Sequence, residues 1–307
     1  MLLGYIIRRV LLTVPVLLGV AVIVFIGIRL VPGDPATIFA GERATEEMIE
    51  ALRSHLGLDQ PLHVQLLIFL ANLIRGDLGN SIRSGLPVTE EVGYRFVNTI
   101  QLALAATVVS IFLGVPMGIL CAVKRRTAID RLGSVAAALG VSAPAFWIGI
   151  ILQVIFAVRL GLLPTAGMDT PAHLILPAVT LGCFPLATVA KQMRASLIDI
   201  LGQDYIRTAR AKGLAEQAVI FGHAVKNAMI PTVTIIGLQF GFMLGGAVLT
   251  EVVFAWPGLG RYLVQSIFNR DYPAVQGAVL IISVSYVFIN LATDLVYAYI
   301  DPRIRYG

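Results

Sequence analysis

The chain has 307 residues, of which 57% are hydrophobic and only 13% charged. A soluble domain carries about 25% charged residues, so roughly half of the usual solvating groups are missing, and the mean hydropathy of +0.85 agrees. Disorder, a disulfide scaffold and a free soluble enzyme are excluded. The net charge of +5 sits beside apolar runs, where it reports membrane topology rather than nucleic-acid binding.

A helix crossing a bilayer core needs about 20 apolar residues. In chain order the first run that qualifies is Val10 to Val31, interrupted only by Arg29. It is too long for the apolar region of a signal peptide and no small-residue cleavage site follows, so residues 1–31 are read as a retained span. Residues 32–95 form a long acidic loop with nine acidic and five basic residues. Within it, Thr45-Glu46-Glu47 marks a helix start with Met48, Leu52 and Leu56 on one face and Gly57 as its stop. A second amphipathic helix is predicted from Pro61 through Leu66, Phe69, Leu70 and Leu73 to Gly76. The loop reads as a small helical cap, either a lid or a docking surface for an external partner.

Five further runs fill residues 96–298. They are Phe96 to Val123, Leu132 to Val158, Thr170 to Ala190, Asn227 to Thr250 and Tyr272 to Thr293. Pro144 in the third run and Pro171, Pro177 and Pro185 in the fourth are candidate helix breaks. Placing the N-terminus inside collects fourteen Lys and Arg on the cytoplasmic side and eight outside, with Arg29 at the outer boundary. Both termini, including the 299–307 tail, are therefore expected in the cytoplasm. The fold class is an all-α membrane protein with six transmembrane helices.

The inner loop, residues 195–226, contains Asp204-Tyr-Ile-Arg207-Thr-Ala209-Arg210-Ala-Lys212-Gly213. Asp204 suits an N-cap, the basic residues occupy the last turns and Gly213 suits a left-handed C-terminal cap. A second helix from about Ala215 toward Lys226 would complete a rigid knob. By pattern alone such a knob either docks in a groove of another protein or anchors at the membrane interface. On the fifth run, Gly237, Gly241 and Gly245 recur every four residues, a face built for close helix packing. Gly114 and Gly118 repeat the device on the second. Glu251, Asp294 and Gln239 are the polar groups singled out as candidates to line a path; the two carboxylates equally suit the interface, Glu251 pairing with Arg261, and Gln239 better suits a hydrogen bond between helices.

The stretch Asp204 to Leu214, followed by His223-Ala-Val-Lys-Asn-Ala-Met-Ile-Pro231, resembles the "EAA" loop of bacterial ABC-importer permeases, and more narrowly the peptide/nickel-type branch. Leu30-Val-Pro-Gly-Asp34-Pro35, Leu56-Gly-Leu-Asp59-Gln-Pro61, Val253-Phe-Ala-Trp256-Pro-Gly-Leu-Gly260-Arg261, Asn269-Arg-Asp-Tyr-Pro273 and Asp301-Pro-Arg-Ile-Arg305 extend the resemblance along most of the chain. Arg207-Thr208-Ala209 stands where Glu-Ala-Ala is usual and the closing Leu-Pro is displaced to Ile230-Pro231, departures typical of the peptide branch. No coupling glutamate therefore carries over.

The resemblance implies the ABC importer permease fold and a non-catalytic subunit in the bacterial inner membrane. Its expected partners are a paralogous permease, two ATPase subunits, an extracytoplasmic substrate-binding protein and membrane lipid. Asp204, Arg207, Ala209, Arg210, Lys212 and Gly213 become the expected ATPase-coupling residues. ATP with magnesium would be held by the ATPases, since the chain has no GxxxxGK[ST] phosphate loop, and neither cofactor nor metal is expected here. The cargo implied is short peptides, with glutathione, nickel complexes and other small solutes as alternatives. Outside the family, an ion-driven secondary transporter would show internal repeats and charged midmembrane pairs, and an intramembrane enzyme a His/Asp/Glu constellation at helical spacing. The sequence shows none of these.

Overall fold

The computed structural model describes residues 2–30, 35–40, 44–55 and 57–300. Residues 32–34, the 301–305 motif and the side chain of Asp294 lie outside the described set. Among the described residues all regular structure is helical, apart from one isolated bridge between Asn80 and Pro87.

Helix α1 spans Leu2–Arg29, followed by α2 (Pro35–Ala40), α3 (Glu46–His55) and α4 (Leu62–Ile74). The Thr45 hydroxyl accepts the Met48 N–H at 3.4 Å, the capping bond expected of that start. Gly57 and Gly76 take left-handed φ values of 63° and 76°, so both expected stops are present. Helix α5 runs unbroken over Val88–Val123. At 1.5 Å per residue it is about 54 Å long, so it overshoots a 30 Å hydrocarbon core. Glu90 and Glu91 in its first turn suit the positive end of the helix dipole.

The third apolar run is not one straight span. Helix α6 (Ala128–Ser142) and α7 (Ala145–Leu152) meet at a bend of 107°. Ala143 precedes a proline, which disfavours the helical region, and it sits at φ −79°, ψ 133°. Pro144 then opens α7, which continues as a π-helical stretch, Gln153–Arg159. The prolines of the fourth run behave differently. Pro171 starts a 3-10 turn (Pro171–Leu174), Pro177 lies in the first turn of α8 (Ile175–Leu201), where no N–H partner is needed, and Pro185 sits inside α8 without ending it.

The chain leaves α8 only at Gly202, so the inner loop is shorter than the expected 195–226. Helix α9 covers Asp204–Ala211. The expected second helix of the knob is not separate: helical structure from Glu216 passes through a π-helical stretch, Ala218–Ala224, straight into α10 (Val225–Val253). Helices α11 (Leu259–Phe268) and α12 (Tyr272–Ile300) complete the fold. Among the described residues, five helices are long and apolar enough to cross a membrane, or six if the bent pair counts as one span.

The chain divides into two compact units. One holds Ile100–Trp256 and α12 from Phe288 onward. Here α5 lies against α8 almost backbone to backbone. A Cβ on Gly114 would stand 2.8 Å from the Leu186 carbonyl oxygen, and one on Gly118 would stand 2.7 Å from that of Ala190. Gly182 on α8 faces the Ala106 carbonyl oxygen of α5 in the same way, at 2.9 Å. In lipid there is no hydrophobic force between helices, so such small-residue contacts carry the association through dispersion. Leu102, Ala103 and Ala106 of α5, Ala178 and Leu181 of α8, and Met243, Leu244 and Ala247 of α10 form one buried cluster with Trp256. On α10, Gly237 faces Thr293 and Gly241 faces Ile289, so both glycines seat this chain's own α12. Gly245 has nothing within 4 Å of a would-be Cβ and is exposed.

The other unit holds Gly4–Thr99 and Pro257–Val287. Its core is Val88 and Val92 of α5, Leu259 and Tyr262 of α11, and Ala274 and Ala278 of α12. Asp271 caps α12 by accepting the Ala274 N–H at 3.2 Å, and it also accepts the Ser81 hydroxyl at 2.6 Å and the N–H groups of Ile82 and Arg83. The Tyr262 hydroxyl donates to Glu91 at 2.6 Å. Burial, and then this bond to a carboxylate, push the phenol's pKa well above 10. At the end of α1, Arg29 donates to Gln65 of α4 at 2.8 and 3.0 Å, and Phe25 packs on Phe69.

Candidate coupling surface and membrane path

Helix α9 has two faces because its apolar residues recur three apart. Ile206 is fully buried and Ala209 nearly so, and both enter a cluster with Ala122 of α5, Met193 and Leu197 of α8, and Val219, Ala224 and Ala228. Ala209, one of the expected coupling residues, therefore seats the helix and does not face outward. Asp204, Tyr205, Arg207, Arg210, Lys212 and Gly213 are all exposed. The N-cap is Gln203, one residue earlier than expected, and Asp204 occupies the first helical position, where its negative charge suits the positive end of the dipole.

Gly213 terminates the helix at φ 81°. Its N–H donates to the Arg210 carbonyl at 2.9 Å and the Leu214 N–H reaches back to that of Ala209 at 3.4 Å, the paired bonds of a Schellman cap. Across the turn, Arg210 donates two parallel hydrogen bonds to Glu216, at 2.7 and 3.0 Å, which draws the Glu216 carboxyl below its ordinary pKa. Asn227 donates to the Tyr205 hydroxyl at 3.0 Å, tying α9 to the first turn of α10. The result is one short helix pinned at both ends, with a mixed-charge outer face.

The candidate path residues are scattered. Glu251 is fully buried in the last turn of α10, next to Thr250, whose hydroxyl is buried without a partner among the described residues. Gln239, three turns earlier, likewise has a buried, unpartnered carbonyl oxygen. Thr180 on α8 carries a third such atom, and its methyl lies against Gly149 of α7. Buried polar atoms without partners are scarce in folded proteins. Neither threonine was among the sequence candidates, because a threonine in an apolar run bonds its own helix as readily as anything else. Asp294 lies on α12, with its side chain outside the described set.

Sequence reasoning also passed over one ion pair. Arg194 of α8 grips Asp130 in the first turn of α6, with Nε to Oδ1 at 2.6 Å and Nη2 to Oδ2 at 2.9 Å. Asp130 also accepts the N–H of Arg126, which holds a left-handed φ of 65°. The two lie 64 residues apart, and both look like ordinary topology charges until the fold joins them.

Two family models match the chain. Residues 114–306 fit the binding-protein-dependent transport system inner membrane component, and residues 2–102 fit the N-terminal segment of the same membrane component. The chain belongs to this family. The permease is 48% identical over 304 residues, 99% of each chain, to the glutathione transport system permease protein GsiC of Salmonella typhimurium. It is 49% identical to that of Pectobacterium atrosepticum, and 47% to that of Escherichia coli K12, with the same coverage. Among solved structures it resembles the MetNI methionine ABC transporter, with TM-score 0.57 and 20% identity over 68% of this chain and 96% of that one. An amino acid ABC transporter gives TM-score 0.55 at 17% identity, over 69% and 94%. At those identities the likeness speaks for the fold. The permease is thus a membrane subunit of an ABC importer of the peptide/glutathione branch, a family that works with ATPase and substrate-binding partners.

Proposed function

We propose that this permease moves short peptides into the cytoplasm, glutathione first among them, in a complex with a paralogous permease, two ATPase subunits and an extracytoplasmic binding protein. The observation that carries the reading is identity near one half along the entire length of both chains to permeases named for glutathione transport. Glutathione is a tripeptide, so this cargo lies inside the peptide class that the motifs imply. Both termini lie in the cytoplasm, and the exposed face of α9 meets the ATPases. ATP with magnesium binds those subunits, and this chain supplies no catalytic group. Closure of the ATPase pair drives α9, and α9 moves the spans to which Ile206 and Ala209 fasten it.

The test is reconstitution of the complete complex in proteoliposomes with labelled glutathione and labelled dipeptides offered in parallel. ATP-dependent accumulation of glutathione, competed by unlabelled glutathione and weakly by dipeptides, supports the cargo. Accumulation of dipeptides alone replaces glutathione by the wider class. Accumulation that ignores ATP overturns the importer mechanism.

A further inference from the structure

The contact through which α9 would move the bent α6–α7 pair is not evident from the spans themselves. Helix α9 is seated on Met193 and Leu197, in the last turns of α8. Arg194 lies between them in sequence, and it holds Asp130. The residues that feel α9 and the residue that grips α6 therefore share one turn of α8. Elsewhere along α6, Gly140 faces the Ala187 Cβ of α8 and Gly133 faces Cys121 of α5, so small groups meet small groups. Such a surface permits sliding, whereas two parallel guanidinium–carboxylate bonds fix both distance and orientation.

The Asp130 side chain is 7% exposed, and its Oδ2 also holds the left-handed Arg126 turn. The ion pair thus braces the start of α6 against α8. At its other end α6 reaches the Ala143–Pro144 bend, beyond which Gly149 of α7 packs on Thr180, Val253 and Phe254. A helix braced at one end and bent at the other behaves as a lever. The Arg194 side chain is 32% exposed, and an ion pair still in contact with water adds little net stability, which favours a role in fixing register.

We propose that the Asp130–Arg194 ion pair is the strut that carries displacement of α9, through the end of α8, to the bent α6–α7 pair. Asp130 and Arg194 are then positioning residues for ATP-coupled transport. This rests on the reading of α9 as the ATPase-contacting element.

The test uses the complete importer in proteoliposomes and reads cargo accumulated per ATP hydrolysed, together with subunit co-purification and thermal stability. Asp130→Asn lowers cargo per ATP at least about fivefold, the low end of a typical coupling energy, while ATP hydrolysis and co-purification are retained. Arg194→Lys keeps the charge but loses the two-bond fork, and gives an intermediate ratio. The Asp130→Asn, Arg194→Gln double variant is no worse than either single change, because each alone already breaks the strut.

An unchanged ratio in Asp130→Asn overturns the strut, and so do additive losses in the double variant or a loss that follows thermal stability. Should Asp130→Asn fail to assemble, Arg194→Lys decides by the same ratio. Gly213→Val is measured alongside as the control for α9. If it also leaves the ratio unchanged, the coupling role of α9 falls, whereas loss there with a normal Asp130→Asn ratio refutes the strut alone.

Discussion

Gly213 offers a clean separation of backbone from contact effects. A Cβ built there meets nothing within 4 Å, so any penalty for substitution comes from φ 81° alone. An L-residue held in the left-handed region costs about 1–2 kcal/mol. Asparagine tolerates that region best, alanine pays the ordinary penalty, and a β-branched valine pays the most. One to two kcal/mol is a factor of about 5–30 in the capped population. Asn, Ala and Val at position 213 should therefore loosen the cap in that order. Exchange of the Leu214 amide, which donates to the Ala209 carbonyl only when the cap is closed, reports the loosening directly. Cargo per ATP should fall in the same order if the capped helix transmits force. Asn behaving worse than Ala would refute the reasoning, because it would mean that a side-chain contact, rather than the backbone, decides the site.

Gly118→Ala drives a Cβ into the Ala190 carbonyl and the Met193 Cβ, and should cost about 1–3 kcal/mol of overpacking, seen as a lower melting temperature of the purified complex. Gly245→Ala meets open space and should stay within about 0.5 kcal/mol of the parent in the same measurement. Ser81→Ala removes one of the donors to the buried Asp271 carboxylate and should cost about 1.5–3 kcal/mol, read as faster proteolysis of the 81–84 loop. The raised pKa of Tyr262 means that its stabilising contribution is complete below pH 10 and is lost only as pH climbs through the higher folded value. A difference spectrum between the parent and Tyr262→Phe should accordingly show no phenolate growth as pH passes 10.

What the residues disclosed in advance, and what they did not, divides along the range of the interaction. Gly213, Gly57 and Gly76 were readable because a left-handed turn is a local demand met by a local residue. The inward face of α4 was readable too, since Leu66, Phe69, Leu70 and Leu73 recur at helical spacing and are all half-buried. Pro144 broke its helix and Pro185 did not, a difference that no property of proline anticipates. Ala209 was placed on the outer surface because chain position alone does not fix the angle at which an eight-residue helix is seated. The Asp130–Arg194 pair needed the third dimension altogether. Arg194 lies past the end of the uncharged fourth run, and only the extension of α8 to Leu201 turns it into a helical residue facing α6.

The π-helical stretch at Ala218–Ala224 has a consequence for how this segment tolerates change in length. Its amides bond five residues back, so it accommodates extra chain that has no place in the ordinary α-helical ladder. Deleting one residue there lets the ladder close up as α-helix, with α10 beyond it still presenting Gly237 and Gly241 to α12. The same deletion a few turns later would rotate every following side chain by about 100°, the angle per residue of an α-helix. Between α9 and the membrane the chain thus carries a small reserve of length, and single-residue gaps among related permeases should gather in it.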